Sequence, residues 1–389
     1  MADALEKDTT RILADLVRAK SLSRREKDVI GVIVREMERI GFDEIMVDGL
    51  GSVVGRIGNG ESKIAFDAHI DTVDSGDPAQ WSTNPFEPVI KDKKIWGRGT
   101  VDQKGGMASM LSAADIIKKM GLAKNKTIYF TGTVMEEDCD GLCWDYLINE
   151  QGLKPDLVVL TEPTDLNIYR GQRGRMEIRV GVKGKSSHGA MPGLGDNAVY
   201  KASRIALKIE DLNNELADDP FLGKGTVVVS EFKSSSPSLC AVPDMAWLHL
   251  DRRLTKGETR EIALKQILTA AEQSGYKDDV EISIPRYKEQ AYTGLEYPTE
   301  KYFPSWVLEE DSPWLLKARA AYELALGKKP KVGRWTFSTN GVSIAGRHDI
   351  PCLGLGPGQE SLSHSPNEAC PIEHLVKSSA FYAALTAVL

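Results

Sequence analysis

The sequence predicts an α/β protein: a mixed sheet sandwiched by helices, into which a second, α+β domain is inserted. Two observations predict it. Up to about Thr161, short apolar strands alternate with amphipathic helical stretches, the pattern of a sheet covered on both faces. After Arg170 the order becomes β-α-β-β-α-β, which is that of a ferredoxin-like sandwich, and then the first pattern resumes. A chain of 389 residues has room for both.

Apolar spacing predicts helices over 4–17 and 28–40, the second introduced by Ser23-Arg-Arg-Glu26, which reads as a capping box. Strands follow at 45–47 and 53–57. The next strand, beginning Lys63-Ile-Ala-Phe-Asp-Ala, runs into His69-Ile-Asp71-Thr. Downstream, Ile95-Trp-Gly-Arg-Gly-Thr-Val-Asp102-Gln-Lys-Gly-Gly106 reads as a strand end and a glycine-rich turn. An amphipathic helix over 107–120 then stops at Gly121. Strands over 126–135 and 156–161 deliver Glu136-Glu137 and Glu162 at their carboxyl ends.

The inserted segment reads as strand 176–182, loop 186–192, helix 197–212, strands 226–232 and 245–251, helix 258–274 and strand 280–285. Residues 295–311, rich in Pro, Tyr and acids, form the return linker, after which Ser312-Pro313 caps and opens a helix. A short strand over 350–355 and a helix over 372–389 close the chain. The expected domains are therefore 1–173 with 294–389, and 174–293.

Composition narrows the function. A hydrophobic fraction of 41% and a charged fraction of 27% are those of a soluble globular protein. A net charge of -7 without any basic run excludes nucleic acid as the expected partner. No window is apolar enough to span a bilayer, and the charged amino terminus lacks the apolar core of a signal peptide. A cytoplasmic location is expected. The five cysteines contain no Cys-x-x-Cys pair and are expected to be reduced thiols, with Cys139 and Cys143 in packing rather than zinc binding.

In α/β sheets working groups collect at the carboxyl ends of strands, and His69, Glu136, Glu137 and Glu162 all fall there. With Asp102 and His364 they give two imidazoles and several carboxylates, which suit a pair of divalent ions sharing one carboxylate and activating a shared water. Glu136, next to Glu137 but on the other side of the chain, is placed to take a proton from that water. Asp71 can hydrogen-bond the free nitrogen of His69 and fix its tautomer.

A family resemblance rests on these residues. His69-Ile-Asp71-Thr-Val, Gly97-Arg-Gly-Thr-Val-Asp102-Gln-Lys-Gly-Gly106, Glu136-Glu137, Thr161-Glu162-Pro163, Ser187-His188-Gly and Ser363-His364-Ser-Pro-Asn-Glu368 resemble the dizinc aminoacylase and carboxypeptidase family. That group includes acetylornithine deacetylase, succinyl-diaminopimelate desuccinylase and glutamate carboxypeptidase. Glu136-Glu-Asp-Cys-Asp-Gly141 is most similar to its selenium-metabolism-linked hydrolase branch.

The resemblance implies a zinc-peptidase-like catalytic domain and a lid and dimerisation domain. It implies that Asp102 bridges two ions, zinc or alternatively cobalt or manganese, with His69 and Glu162 on one and Glu137 and His364 on the other. It makes Glu136 the general base, and implies a cis peptide after Asp102. It also implies a homodimer in which His188 reaches the partner's active site, and a substrate carboxylate bound by Arg253 of Asp251-Arg-Arg253. Two positions depart from the family pattern. Cys240 stands where many relatives have asparagine, and Asn340 where they often have aspartate, so the substrate pocket expected to include Asn340 reads a different group.

The activity these readings imply is hydrolysis of an amide in a small N-acyl amino acid or short peptide. Carbamoyl or ureido compounds are the alternative substrates, and a catalytically silent binding homologue is the alternative from another class. A serine hydrolase is excluded by the absence of Gly-x-Ser-x-Gly.

Overall fold

The computed structural model describes residues 6–389. Its centre is a nine-stranded sheet in the order Glu44–Val47, Val53–Ile57, Lys126–Thr133, Ser62–His69, Leu157–Leu160, Cys352–Gly354, Ile168–Gln172 and Trp306–Val307, with Val332–Trp335 also paired to Ile168–Gln172. The four strands in the middle, Lys126–Thr133 through Cys352–Gly354, run parallel, so their carboxyl ends share one edge.

The period of two in the sequence explains why this sheet is covered twice. In Ser62–His69, Ile64, Phe66 and Ala68 join one apolar core while Ala65 joins another. Helices Glu6–Arg18, Lys27–Ile40, Lys104–Met120, Pro313–Leu326 and Ile372–Val388 contribute to the first core, around Leu13, Ile33, Phe130 and Phe381. Helix Leu142–Asn149 contributes Trp144 to the second, with Trp306 and Trp335.

Helix Lys104–Met120 begins earlier than its apolar pattern suggests, because glycines let it lie against the sheet. A Cβ on Gly106 would lie 2.2 Å from Thr161 Oγ1 and 2.7 Å from the Thr161 carbonyl. Only glycine allows that approach.

The inserted sheet has the order Thr226–Ser235, Met245–Leu254, Gly174–Lys183, Val280–Ser283, all antiparallel, which is the ferredoxin-like arrangement. Met245–Leu254 alternates half-buried and buried without interruption. Its buried members, such as Leu248 and Leu250, pack with Ile205 and Ile267 of helices Ala198–Glu215 and Arg260–Gln273 into a separate core. The opposite face of that sheet carries Arg175, Glu177, His249 and Arg253.

Four expectations need correction. Helix Lys27–Ile40 has no side-chain cap, and Ser23 and Glu26 bond elsewhere, so they form no capping box. Ser312 makes no cap bond, although Pro313 does open the helix. The supposed linker contains Tyr302–Phe303, which pairs with Gly174–Lys183, and Trp306–Val307, which pairs with Ile168–Gln172. It is thus fastened into both sheets. The helix expected over 4–17 is observed as Glu6–Arg18, positions 4 and 5 lying outside the described residues.

Phe66 lies 5.4 Å from Phe130 and 5.3 Å from Tyr382, ring centre to ring centre, at the middle of the main core. Phe66→Ala is expected to lower unfolding stability by about 3–5 kcal/mol, measured as the shift in a urea melt.

Candidate metal centre

Three parallel strands end side by side. His69 is the last residue of its strand, Glu136 and Glu137 follow the end of Lys126–Thr133, and Glu162 follows the end of Leu157–Leu160. Asp102 enters from the glycine turn before helix Lys104–Met120, and His364 from the loop after Cys352–Gly354.

Asp102 sits between the two imidazoles. Its Oδ1 lies 2.9 Å from His69 Nε2 and its Oδ2 lies 3.4 Å from His364 Nε2. Around His69 Nε2, Glu162 Oε1 is at 3.6 Å and Glu136 Oε2 at 4.0 Å. Around His364 Nε2, Glu137 Oε2 is at 2.9 Å. Two half-sites therefore meet at one carboxylate: His69 with Glu162, and His364 with Glu137. Ligand-capable atoms of His69, Glu136 and Glu162 lie within 4.8 Å of one another, as do those of His69, Asp102 and Glu137. His364, with 53% of its side chain exposed, marks the open side.

The electrostatics ask for cations. Burial pushes the Glu136 carboxyl well above its usual range, and Asp140, Glu162 and Glu137 push it further against the pull of His69. Burial and the repulsion of Asp102 raise Glu137 to about 7. Burial likewise raises Glu162, with Asp102 and Glu137 adding to it against His69. Asp102 is the exception, because bonding and charge from His69 outweigh its burial and hold it low. One oxygen of Glu136 and one of Glu162 are buried without any hydrogen-bond partner. In each of these carboxylates one oxygen faces His69 Nε2 and the other has no partner, so donor capacity is left over for a divalent metal, and the residues fit two ions.

Backbone clamps hold these ligands. His69 Nδ1 lies 3.0 Å from the Asp71 main-chain oxygen, and donation to that carbonyl leaves Nε2 to face the cluster. The Asp71 carboxylate, expected to do this, stands 3.6 Å away and accepts instead from Glu136 N at 3.2 Å, Glu137 N at 3.1 Å and Ser23 Oγ at 2.7 Å. It fixes the turn rather than the imidazole alone. Met135, left-handed with φ 62, donates its N–H to Glu26 Oε1. Glu368 accepts from the N–H groups of Gly99, Val101 and Asp102 and pairs with buried Arg98 at 2.8 Å. The Asp102–Gln103 peptide is cis.

The other expected residues lie apart. Asn340 is 1% exposed; it donates to Asp67 and Thr133 and accepts from Gly141 N and Cys143 Sγ. Every hydrogen-bonding position of that amide is taken, which corrects the expectation that it contacts substrate. His188 lies on an exposed loop of the inserted domain and accepts from Ala190 N, next to Cys240, whose carbonyl accepts from Gly189 N. Arg252 is buried against Glu258, whereas Arg253 is held by Asp251 on the open face at 2.8 and 3.0 Å.

Several residues that shape this region carry little signal for it in the sequence. Ser23 and Glu26 have the spacing of a helix-capping pair but bond to Asp71 and Met135. Glu368 ends the stretch Ser363-His364-Ser-Pro-Asn-Glu368. Arg173 and Arg334 carry no signal, because the fold alone brings them together. Arg173 donates to the Lys224 carbonyl, and a Cβ on neighbouring Gly223 would lie 3.1 Å from Arg334 Nη1. Burial, then the charges of Arg334 and Arg253, lower the Arg173 pKa, so the three guanidiniums share one electropositive region. Neither Arg173 nor Arg334 pairs with a carboxylate among the described residues.

A cleft of about 910 Å³ beside Glu137 and Asp138 opens between the Leu22–Arg25 turn, Thr72–Asp74 and the Gln290–Tyr292 segment.

Comparison with known proteins identifies the family and the shared fold. The family model described as peptidase family M20/M25/M40 matches residues 65–387. YgeY of Escherichia coli K12 is 51% identical over 378 residues, covering 97% of this chain and 93% of that protein. A probable succinyl-diaminopimelate desuccinylase of Staphylococcus epidermidis is 34% identical over 199 residues, covering 50% of this chain and 49% of its own. The crystal structure of Bacillus subtilis YXEP, described as a dinuclear metal binding peptidase from the M20 family, superposes with a TM-score of 0.73 at 18% identity, covering 99% of this chain and 98% of that one. At that identity it shows the shared fold.

Raised carboxyl pKa values carry a sign. Glu137 and Glu26 are pushed up to about 7 and about 8, so the folded metal-free protein holds protons that the unfolded chain has already lost. Stability of the metal-free protein is expected to fall as pH rises from about 5 to 8. Divalent ions bound at the Glu137 half-site remove that part of the slope. Melting temperatures in chelator and in zinc across this window check it, and parallel curves would count against the site.

Proposed function

This chain belongs to peptidase family M20/M25/M40, and on that premise we propose that it hydrolyses an amide bond in a small N-acyl amino acid or short peptide. It is a metallohydrolase. The observation that carries the reading is Asp102, whose two oxygens each face a different histidine beside an unpartnered Glu136 oxygen.

In this reading His69, Asp102 and Glu162 hold one ion, and Asp102, Glu137 and His364 the other. Zinc suits this mixed set best, and cobalt or manganese fit the same ligands. Two divalent ions held by these residues would lower the pKa of the attacking water and stabilise negative charge on the substrate oxygen. Glu136 takes the proton from that water and later gives it to the departing nitrogen. Its burial among acids raises its affinity for a proton, which suits a group that first accepts a proton and then gives it up. Arg253, with Arg173 and Arg334 nearby, binds the anionic end of the substrate.

His188 acts from a second copy of the chain, where it stabilises the developing oxyanion. Two features support a homodimer. Strand Thr226–Ser235 is a free edge of the inserted sheet, and Val228 on it and Leu207 on the adjacent helix are 56% and 60% exposed. The five free thiols support a cytoplasmic location, and no helix among the described residues is long and apolar enough to cross a membrane.

The test is a panel of N-acyl amino acids, dipeptides and ureido compounds offered to the metal-loaded protein. Turnover of an N-acyl amino acid or peptide is expected; turnover confined to ureido compounds would move the substrate class, and none at all would refute the reading. Glu136→Ala is expected to keep two bound ions and lose several orders of magnitude in kcat. His188→Ala is expected to lower kcat with metal content unchanged, whereas loss of metal would make it a ligand.

A further inference from the structure

The segment Glu136-Glu-Asp-Cys-Asp-Gly141 contains two acids that the hydrolytic mechanism does not use. Cys139 points into the main core, and its N–H returns to the carbonyls of Met135 and Glu136, closing a tight turn. Asp138 and Asp140, on either side of Cys139, each meet a residue from outside the turn. Asp138 Oδ2 accepts from Tyr287 Oη at 2.8 Å, and Asp140 Oδ2 pairs with Arg175 Nη2 at 3.3 Å.

Both partners stand where the chain crosses between the domains. Arg175 is the second residue of Gly174–Lys183, the first strand of the inserted sheet. Tyr287 lies just beyond the last strand, Val280–Ser283, in a short pairing of Arg286–Tyr287 with Thr299–Glu300. Phe303, on the returning strand, pairs with Arg175 and lies 4.8 Å from its guanidinium. In the same sheet Arg253 is directly opposite Arg175. The proposed anion site at Arg253 thus neighbours Arg175 across the sheet, and Arg175 reaches through Asp140 to the turn that carries Glu136.

We propose that Asp138 and Asp140 are positioning residues that bind the Glu136 turn to both domain crossings, so that contact of a substrate anion with the inserted domain sets the placement of the base. The proposal rests on the hydrolytic reading above. The Asp140–Arg175 pair is suited to this work because it is mostly shielded, with 10% of the Asp140 side chain and 24% of the Arg175 side chain exposed. Such a pair keeps its geometry better than a solvated surface pair does. The path would let binding energy from a remote group appear in kcat rather than in KM.

The test compares an N-acyl amino acid bearing a free α-carboxylate with its carboxamide, using wild type, Arg175→Met, Tyr287→Phe and the rescuing Arg175→Lys. In wild type kcat is expected to favour the carboxylate. Arg175→Met and Tyr287→Phe are expected to cut that preference roughly tenfold, with KM and metal content unchanged. Arg175→Lys restores most of it. An unchanged preference, an equal loss on both substrates, or a change confined to KM overturns the proposal. Hydrogen exchange at the amides of 136–141 gives a second readout that needs no turnover. Exchange there is expected to quicken roughly tenfold in both disabling variants while the strand Ser62–His69 is unaffected; unchanged exchange overturns the proposal. Absence of any turnover by wild type would refute the hydrolytic reading, and exchange would still decide the coupling.

Discussion

Like charges packed into a dry pocket are the constraint on which the rest of this structure depends. Asp102, Glu136, Glu137 and Glu162 lie against two imidazoles in a space where solvent screens little; burial and mutual repulsion raise the proton affinity of the three glutamates, while His69 holds Asp102 low. Divalent cations remove the conflict. The fold must then hold the carboxylates together while the cations are absent, and it does so through backbone N–H groups. Asp71 grips the turn of Glu136 and Glu137, and Glu368 grips the loop of Asp102. Each of these acids uses its own charge to orient a loop whose side chains carry further negative charge.

The parallel centre of the main sheet makes this convergence possible. Because neighbouring strands end at one edge, His69, the Glu136–Glu137 turn and Glu162 arrive together without long loops. Gly106 allows helix Lys104–Met120 to close over the end of the third strand and present Asp102. The inserted domain is a separate apolar core, but it is joined to this edge at more than its two covalent crossings. Tyr302–Phe303 adds a strand to it, and Arg175 and Tyr287 reach back to the turn beside the ligands. The inserted domain and the acid-rich edge of the main sheet are thereby mechanically connected.

Much of this was legible in the sequence because the relevant signals are local. Alternating apolar residues marked the strands, and the acids and histidines stood at strand ends, where an α/β sheet gathers them. The ferredoxin-like insertion was legible from element order. What failed depended on distant partners. Ser23 and Glu26 have capping-box spacing, yet their oxygens meet Asp71 and Met135. Asn340 lies in a polar stretch that resembles a substrate loop, but Asp67, Thr133, Gly141 and Cys143 surround its amide. Arg173 and Arg334 are brought together only by the sheet and a hairpin of the inserted domain. Short strands such as Tyr302–Phe303 lack the length to show a period.

The central claim is that Asp102 joins two ion sites, and anomalous diffraction at the zinc edge from zinc-grown crystals tests it most directly. The account predicts two peaks roughly 3.5–4 Å apart on either side of Asp102, one against His69 and Glu162 and the other against Glu137 and His364. A single peak, or zinc bound only elsewhere, would contradict it.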